Sequence, residues 1–166
     1  MGSALMSNFQ GSSDRNRQPP AEESNSKSMA LLIDRLLSHP ISREPQARSD
    51  AKLVPCASAF LQSRITWDQA FRIDLSIDPV WSMLLVIYVR QATDVGITVA
   101  SLLDLSWIGP STVLVRWATK LVTDGILELA GDRSSDAEKI VRLSSDGLRK
   151  IENWLRAATA DVARLS

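Results

Sequence analysis

Cysteine and histidine are among the scarcest groups in this chain: 166 residues contain one of each, Cys56 and His39. A lone cysteine excludes an intramolecular disulfide, and the pair excludes an ordinary Cys/His zinc site. Any Ser-His-Asp or Cys-His arrangement would have to use His39, which precedes Pro40 in a stretch that reads as a linker. The seven glycines are scattered, so no phosphate-cradling glycine loop is present. Long hydrophobic runs are also missing. The longest, Met83 to Val89, is far short of the roughly 20 residues that a membrane helix needs. Charge of one sign is missing too: 19 basic residues face 19 acidic ones, which gives no general attraction to nucleic acid or anionic membrane. The start of the chain has no basic stretch followed by an apolar one, so no secretory signal is expected. Met6 stands where a myristoylation motif needs Ser or Thr. These absences lead to the expectation of a cytoplasmic protein that is not an enzyme, holds no metal or cofactor, and does not enter a membrane.

Apolar residues make up 45% of the chain, enough for a core. Residues 1–27 are rich in Ser, Asn, Gln, Arg and Pro and cannot bury enough to offset ordering, so a disordered tail is expected there. Residues 28–38 place Leu31, Leu32, Leu36 and Leu37 at helical spacing, and Pro40 and Pro45 then make a linker to 45. That helix packs on the domain or docks to a partner. The domain proper spans 46–166. Its first helix, 46–64, carries a stripe of Ala51, Val54, Ala57, Leu61 and Ile65, with Pro55 expected to kink or restart it. Residues 68–78 read as a connection, ending on Asp78 as a cap.

From 79 onward the signals are stronger. Residues 79–92 are apolar almost all round and predict a buried helix. Thr98 caps a short helix, 99–106, with Ala100 and Leu103 inward, and Trp107-Ile108-Gly109 is a tight turn. Pro110 to Asp124 is a helix closed by Gly125. Residues 126–129 and 139–143 alternate like strands and predict a hairpin whose polar tip is 131–138. Ser144 or Ser145 caps a last helix that runs to about 164, with Leu148, Ile151, Leu155, Ala158 and Val162 on one stripe.

Three helices, a hairpin and a helix, with a turn of about three residues between the middle helices, is the order of a winged helix-turn-helix domain. The fold expected is therefore mostly α with a small β-hairpin wing, an α+β winged helix-turn-helix domain with N- and C-terminal dimerisation helices. In such a domain the second middle helix, 110–124, enters the major groove. Its spacing puts Val113, Trp117 and Leu121 inward, flanked by Leu114 and Ala118. Ser111, Thr112, Val115, Arg116 and Thr119 then point outward. Ser and Thr hydroxyls can bond bases or phosphates, Val115 can meet a thymine methyl, Arg116 can grip guanine, and Lys120 suits a phosphate. Arg133 on the hairpin tip, or wing, is a further DNA contact.

The segments VASLLDLSWIGPSTVLVRWATKLVTDGILEL (99–129) and KIVRLSSDGLRKIENWL (139–155) resemble MarR-type winged-helix transcriptional regulators. The likeness covers roughly 79–155. VRLSSDG is similar to that family's VxLTxxG step from wing strand to helix, and DGILEL to its xGLVxR step into the wing. Pro110, Thr112, Arg116 and Trp117 look like a divergent branch of the family. The resemblance implies a homodimer that binds double-stranded DNA and regulates transcription, with the hairpin wing 126–143 near the minor groove. Helix 46–64 and the stripe Leu148, Ile151, Leu155, Ala158 and Val162 would supply the dimer contact. It also implies a small aromatic ligand between the dimer helices and the DNA-binding lobe. No residue identifies that ligand, and a ligand-free chain fits equally.

The chain departs from the family at the wing tip. Asp136-Ala137-Glu138 stands where an Asp followed by an arginine pair is usual. Over 110–150 seven basic residues meet six acidic ones, an excess of one. Phosphate contacts dominate DNA affinity, so modest binding is expected. The competing class is a winged-helix protein–protein interaction module without specific DNA binding. A basic stripe over Arg116, Lys120, Arg133 and Arg142 would favour DNA, and an apolar patch there would favour a protein. Trp81, Trp117 and Trp154 read as packing residues, and Cys56 as either a packed thiol or a redox sensor.

Overall fold

The structure is a computed structural model that describes residues 21–43, 45–71, 79–93, 96–131 and 139–165. Its elements run α1 (Ala21–Leu37), α2 (Val54–Phe71), α3 (Pro79–Ala92), β1 (Ile97–Thr98), α4 (Val99–Leu103), α5 (Ser111–Thr123), β2 (Leu127–Ala130), β3 (Ile140–Leu143) and α6 (Ser145–Leu165). The protein is mostly helical, with a small antiparallel sheet of order β1-β3-β2. Leu127 pairs with Leu143, and Ala130 with Ile140. Strand β1, which has no clear alternation in the sequence, pairs Ile97 with Val141.

Helix α3 is the centre of the core. Every side chain from Ser82 to Tyr88 is buried, as an all-round apolar helix requires. Around it lie Leu36, Leu102, Ile108, Leu114, Leu127, Leu143 and Leu155, all essentially without solvent contact. Two polar residues of α3 tie the layers together. Gln91 donates to the Ala47 carbonyl at 2.9 Å and accepts from the Leu143 amide at 2.9 Å, which joins the linker to β3. The Tyr88 hydroxyl donates to the Asp50 carbonyl at 3.0 Å. Burial pushes that phenol well above its ordinary range, so it stays a donor. Arg156 of α6 reaches both Asp50 and Glu152, at 3.3 and 3.1 Å, and closes the same corner.

Several boundaries differ from expectation for local reasons. Of the tail expected over 1–27, residues 1–20 lie outside the described residues, and 21–27 are helical. Alanine, glutamate and lysine in that run favour helix. Helix α2 starts at Val54 and not at 46: of the two expected effects of Pro55, the chain takes the restart, with the proline in the first turn, where it costs no backbone bond. Helix α4 is shorter than expected and ends at Leu103. Its buried residues are Val99 and Leu102, and Ala100 is exposed. Residues 104–110 make a longer connection than the expected turn because Ile108 folds back into the core, its amide bonded to the Leu105 carbonyl at 2.9 Å. The Thr98 cap is as expected: its side chain accepts from the Ser101 amide at 3.1 Å. The caps expected from Asp78 and the hairpin tip at 132–138 lie outside the described residues.

Two glycines in the second half of the chain have distinct roles. Gly125 ends α5 with φ +71°, a left-handed conformation, in open space. Gly147 lies in the first turn of α6, which is capped by Ser144 and lies against Ile126. A Cβ at Gly147 would stand 2.1 Å from the Ile126 carbonyl oxygen, which is backbone and cannot move away cheaply. Gly147→Ala is therefore expected to cost about 1–3 kcal/mol or more, and Gly125→Ala about 1–2 kcal/mol from conformation alone. Urea unfolding should rank Gly147→Ala as the more damaging; the reverse order would contradict this account.

Candidate nucleic-acid interface

Helix α5 is held from two sides. Leu114, Ala118 and Leu121 are buried, and α3 and α4 both pack on the helix. Helix α1 packs along the other side. It is anchored there by Leu36, which has no solvent exposure, and by Lys139, whose Nζ donates to the Leu37 carbonyl at 2.7 Å. The chain then continues from α1 along the edge of β2, where the Ser42 amide donates to the Leu129 carbonyl at 2.7 Å. Ile41 forms a parallel bridge to Leu129. The segment 28–38 thus docks on its own domain.

This packing changes the expected orientation of α5. Val115 is fully buried and Thr119 is 6% exposed, so neither side chain is free to meet a base edge. Thr119 sits where α1 meets α5, beside Leu32, and Val115 lies one turn before it on the same side. The Thr119 hydroxyl donates to the Val115 carbonyl of its own helix at 2.8 Å. Conversely, Trp117 was expected inward and is 37% exposed, and Val113 is only half-buried. The open face of α5 is the stripe Val113, Arg116, Trp117 and Lys120, rotated about one residue from the expected one.

The remaining expected contacts divide as follows. Arg116 is exposed. Lys120 is exposed and pairs with Asp124 at 2.8 Å, an i,i+4 pair of small energetic weight. Ser111 and Thr112 are half-buried, and the Ser111 hydroxyl donates to the Leu103 carbonyl at 3.1 Å, which ties α5 to α4. Arg133 lies outside the described residues. Arg142 drops out of the expected basic stripe: it is 8% exposed and bonds Glu128 across the β2–β3 pair at 2.7 Å. The basic character of this side therefore comes from Arg116, Lys120 and Arg35 of α1, which faces the same groove. Arg35 was not singled out in the sequence, because its part of the chain reads as separate from the domain.

The expected dimer stripe is also corrected. Leu148, Ile151 and Leu155 are buried in the chain's own core, on a helix that packs on β3 and α2, and cannot face a second copy. Ala158 alone of that stripe is described at the surface, and the side chain of Val162 lies outside the described residues. Ala158 lines a shallow apolar groove of about 270 Å³ between α2 and α6, with Cys56, Ala59, Phe60, Ser63 and Thr159. Cys56 is a half-buried free thiol whose Sγ lies 3.1 Å from the Thr159 hydroxyl. Trp154 packs edge-on to Trp81 at 4.3 Å and tilted against Phe60 at 5.0 Å, and remains 37% exposed. A second cleft of about 300 Å³ lies between α2, α3 and the α4–α5 connection, lined by Leu61, Ile65, Val86, Arg90, Leu105 and Trp107.

Among the described residues, no group of three or more His, Cys, Asp or Glu side chains could hold a metal ion. No described helix is long and apolar enough to cross a membrane. Comparison with family models, curated proteins and solved structures finds no match to this chain.

Burial of Thr119 leads to a direct check. Its hydroxyl serves only its own helix, and the Val115 carbonyl keeps its backbone donor when that hydroxyl is lost. Thr119→Val should therefore change stability by about 1 kcal/mol or less, whereas Thr119→Lys, which forces a charge beneath α1, should cost several kcal/mol. Equal tolerance of both substitutions in urea unfolding would mean that α1 does not cover this position.

Proposed function

We propose that this chain is a winged helix-turn-helix regulator of the MarR type that binds double-stranded DNA as a homodimer and controls transcription. One observation carries the reading. Elements α3, β1, α4, α5, β2, β3 and α6 follow one another with β1 closing the sheet against β3, and α5 is held by its neighbours with one stripe left open. In that arrangement α5 is the recognition helix and the β2–β3 pair is the wing. Arg116 is the base-reading residue, suited to a bidentate contact with guanine. Lys120 and Thr112 hold phosphates and set register, while Ser111, whose hydroxyl is given to the Leu103 carbonyl, positions the start of α5. Trp117, beside Arg116 on the open stripe, adds apolar contact with sugar or a thymine methyl.

The dimer contact belongs to the outer faces of α2 and α6, because Leu148, Ile151 and Leu155 are used within the chain. The apolar groove at Ala59, Phe60 and Ala158, with the exposed edge of Trp154 beside it, suits a second copy. The two recognition helices then meet half-sites roughly 34–36 Å apart. A small aromatic ligand fits the Trp107 cleft, with Arg90 for an acidic group. In this reading the protein acts in the cytoplasm and catalyses no reaction.

A second reading, a winged helix that grips another protein, is favoured by one observation: the open stripe centres on an exposed tryptophan. Selection of bound duplexes from a random pool at two salt concentrations separates the two. A two-fold-symmetric motif with half-sites about 10 base pairs apart is the expected result for the regulator. Enrichment of nothing, with binding lost at moderate salt, would favour the protein-binding module. Within the first outcome, Arg116→Ala should cost about 1–3 kcal/mol of binding and relax preference at one base pair. Unchanged affinity and preference would remove Arg116 from the interface.

A further inference from the structure

We infer that α1 is part of the DNA interface, and that Arg35 of α1 joins Arg116 and Lys120 of α5 in one groove that takes a phosphodiester of the duplex backbone. This rests on the reading of α5 as the recognition helix. The groove, of about 260 Å³, lies between the two helices and is lined by Leu32, Arg35, Arg116, Lys120, Thr123 and Asp124 among others. Three cations face it against one carboxylate. Asp124 is bonded to Lys120, which leaves the two guanidiniums unbalanced. Among the described residues neither Arg35 nor Arg116 has a side-chain hydrogen bond or ion pair, whereas Arg142, Arg149 and Arg156 all do. Two uncommitted guanidiniums on one groove suit an oxyanion, because each presents a planar fork of donors that matches phosphate oxygens.

The place of α1 on α5 is set by independent anchors: buried Leu36, the Lys139 bond to the Leu37 carbonyl, and the backbone bond from Ser42 to β2. Arg35 is therefore carried at the end of a helix that is bound to the domain directly after it. The exchange is electrostatic. Helix α1 covers Val115 and Thr119, which are neutral, and brings a cation to the edge of the open stripe. That compensates a chain whose wing and net charge supply little attraction for DNA. A duplex laid on the Arg116–Trp117–Lys120 stripe has this groove along one flank, where a backbone strand runs beside a helix in the major groove.

The test is fluorescence anisotropy of the full chain and its variants on two labelled probes, a random-sequence duplex and the duplex pool recovered by selection, across a salt series. Phosphate contacts are independent of sequence. Arg35→Ala should therefore weaken binding to both probes by the same factor and reduce the slope of log K against log salt by about one. Arg35→Lys should keep the slope. Matching thermal melts of the variants and the parent chain establish that α1 stays docked. If Arg116→Ala alters preference but Arg35→Ala leaves affinity and slope unchanged, this inference fails and the recognition-helix reading stands. If Arg35→Ala tightens binding, α1 is a cover and the inference is overturned. If the parent chain binds neither duplex at low salt, both fall. Binding of inorganic phosphate without binding of either duplex marks a free-anion site and overturns the duplex assignment.

Discussion

The packing of α5 between two sides of the same domain is the constraint on which the rest depends. Leu114, Ala118 and Leu121 meet one side, and Val115 and Thr119 are closed off on the other, where α1 packs. A helix held on both sides has little surface left to offer. What remains is a narrow stripe whose members recur every three or four residues. Because the helix cannot roll, the stripe's composition of Arg116, Trp117 and Lys120 sets what α5 can touch. A helix held on one side only would present a wider and differently charged face.

The same constraint redistributes charge. The net balance of the chain is zero, and several cations are spent internally: Arg142 on Glu128, Lys139 on the Leu37 carbonyl, Arg156 on Asp50 and Glu152. Arg142 and Lys139 lie near the sheet, almost buried, where an unpaired charge would be expensive. On the α1–α5 side, Arg35 and Arg116 stay available and share one groove with Lys120. Thus the functional reading does not rest on overall composition. It rests on which cations the fold brings together on one groove, Arg35, Arg116 and Lys120.

The apolar stripe of α6 follows the same logic. An amphipathic stripe on a terminal helix can bury itself against its own chain or against a second one, and periodicity does not distinguish these. Leu148, Ile151 and Leu155 take the first route because β3 and α2 lie within reach. The α2–α6 groove, with smaller side chains and an aromatic edge, is what is left on the outside.

Much of the fold was legible in the chain. The apolar run of α3, the Pro110 start and Gly125 end of α5, the alternation of β2 and β3 and the Ser144 cap are local signals, each written in adjacent residues with a direct physical meaning. The Thr98 cap belongs with them. Three things were not legible. Strand β1 is two residues long and is defined by its partner Val141, more than forty positions away. The physical reason for Gly147, the last residue of VRLSSDG, is hidden until Ile126 is found against it. The face of α5 was misjudged because Val115 and Thr119 follow the same helical period whether solvent or another helix covers them. Local chemistry is set by neighbours in sequence, and those signals survive any fold. Coverage is set by neighbours in space, and α1, separated from α5 by more than seventy residues, decided which side chains of that helix remain free.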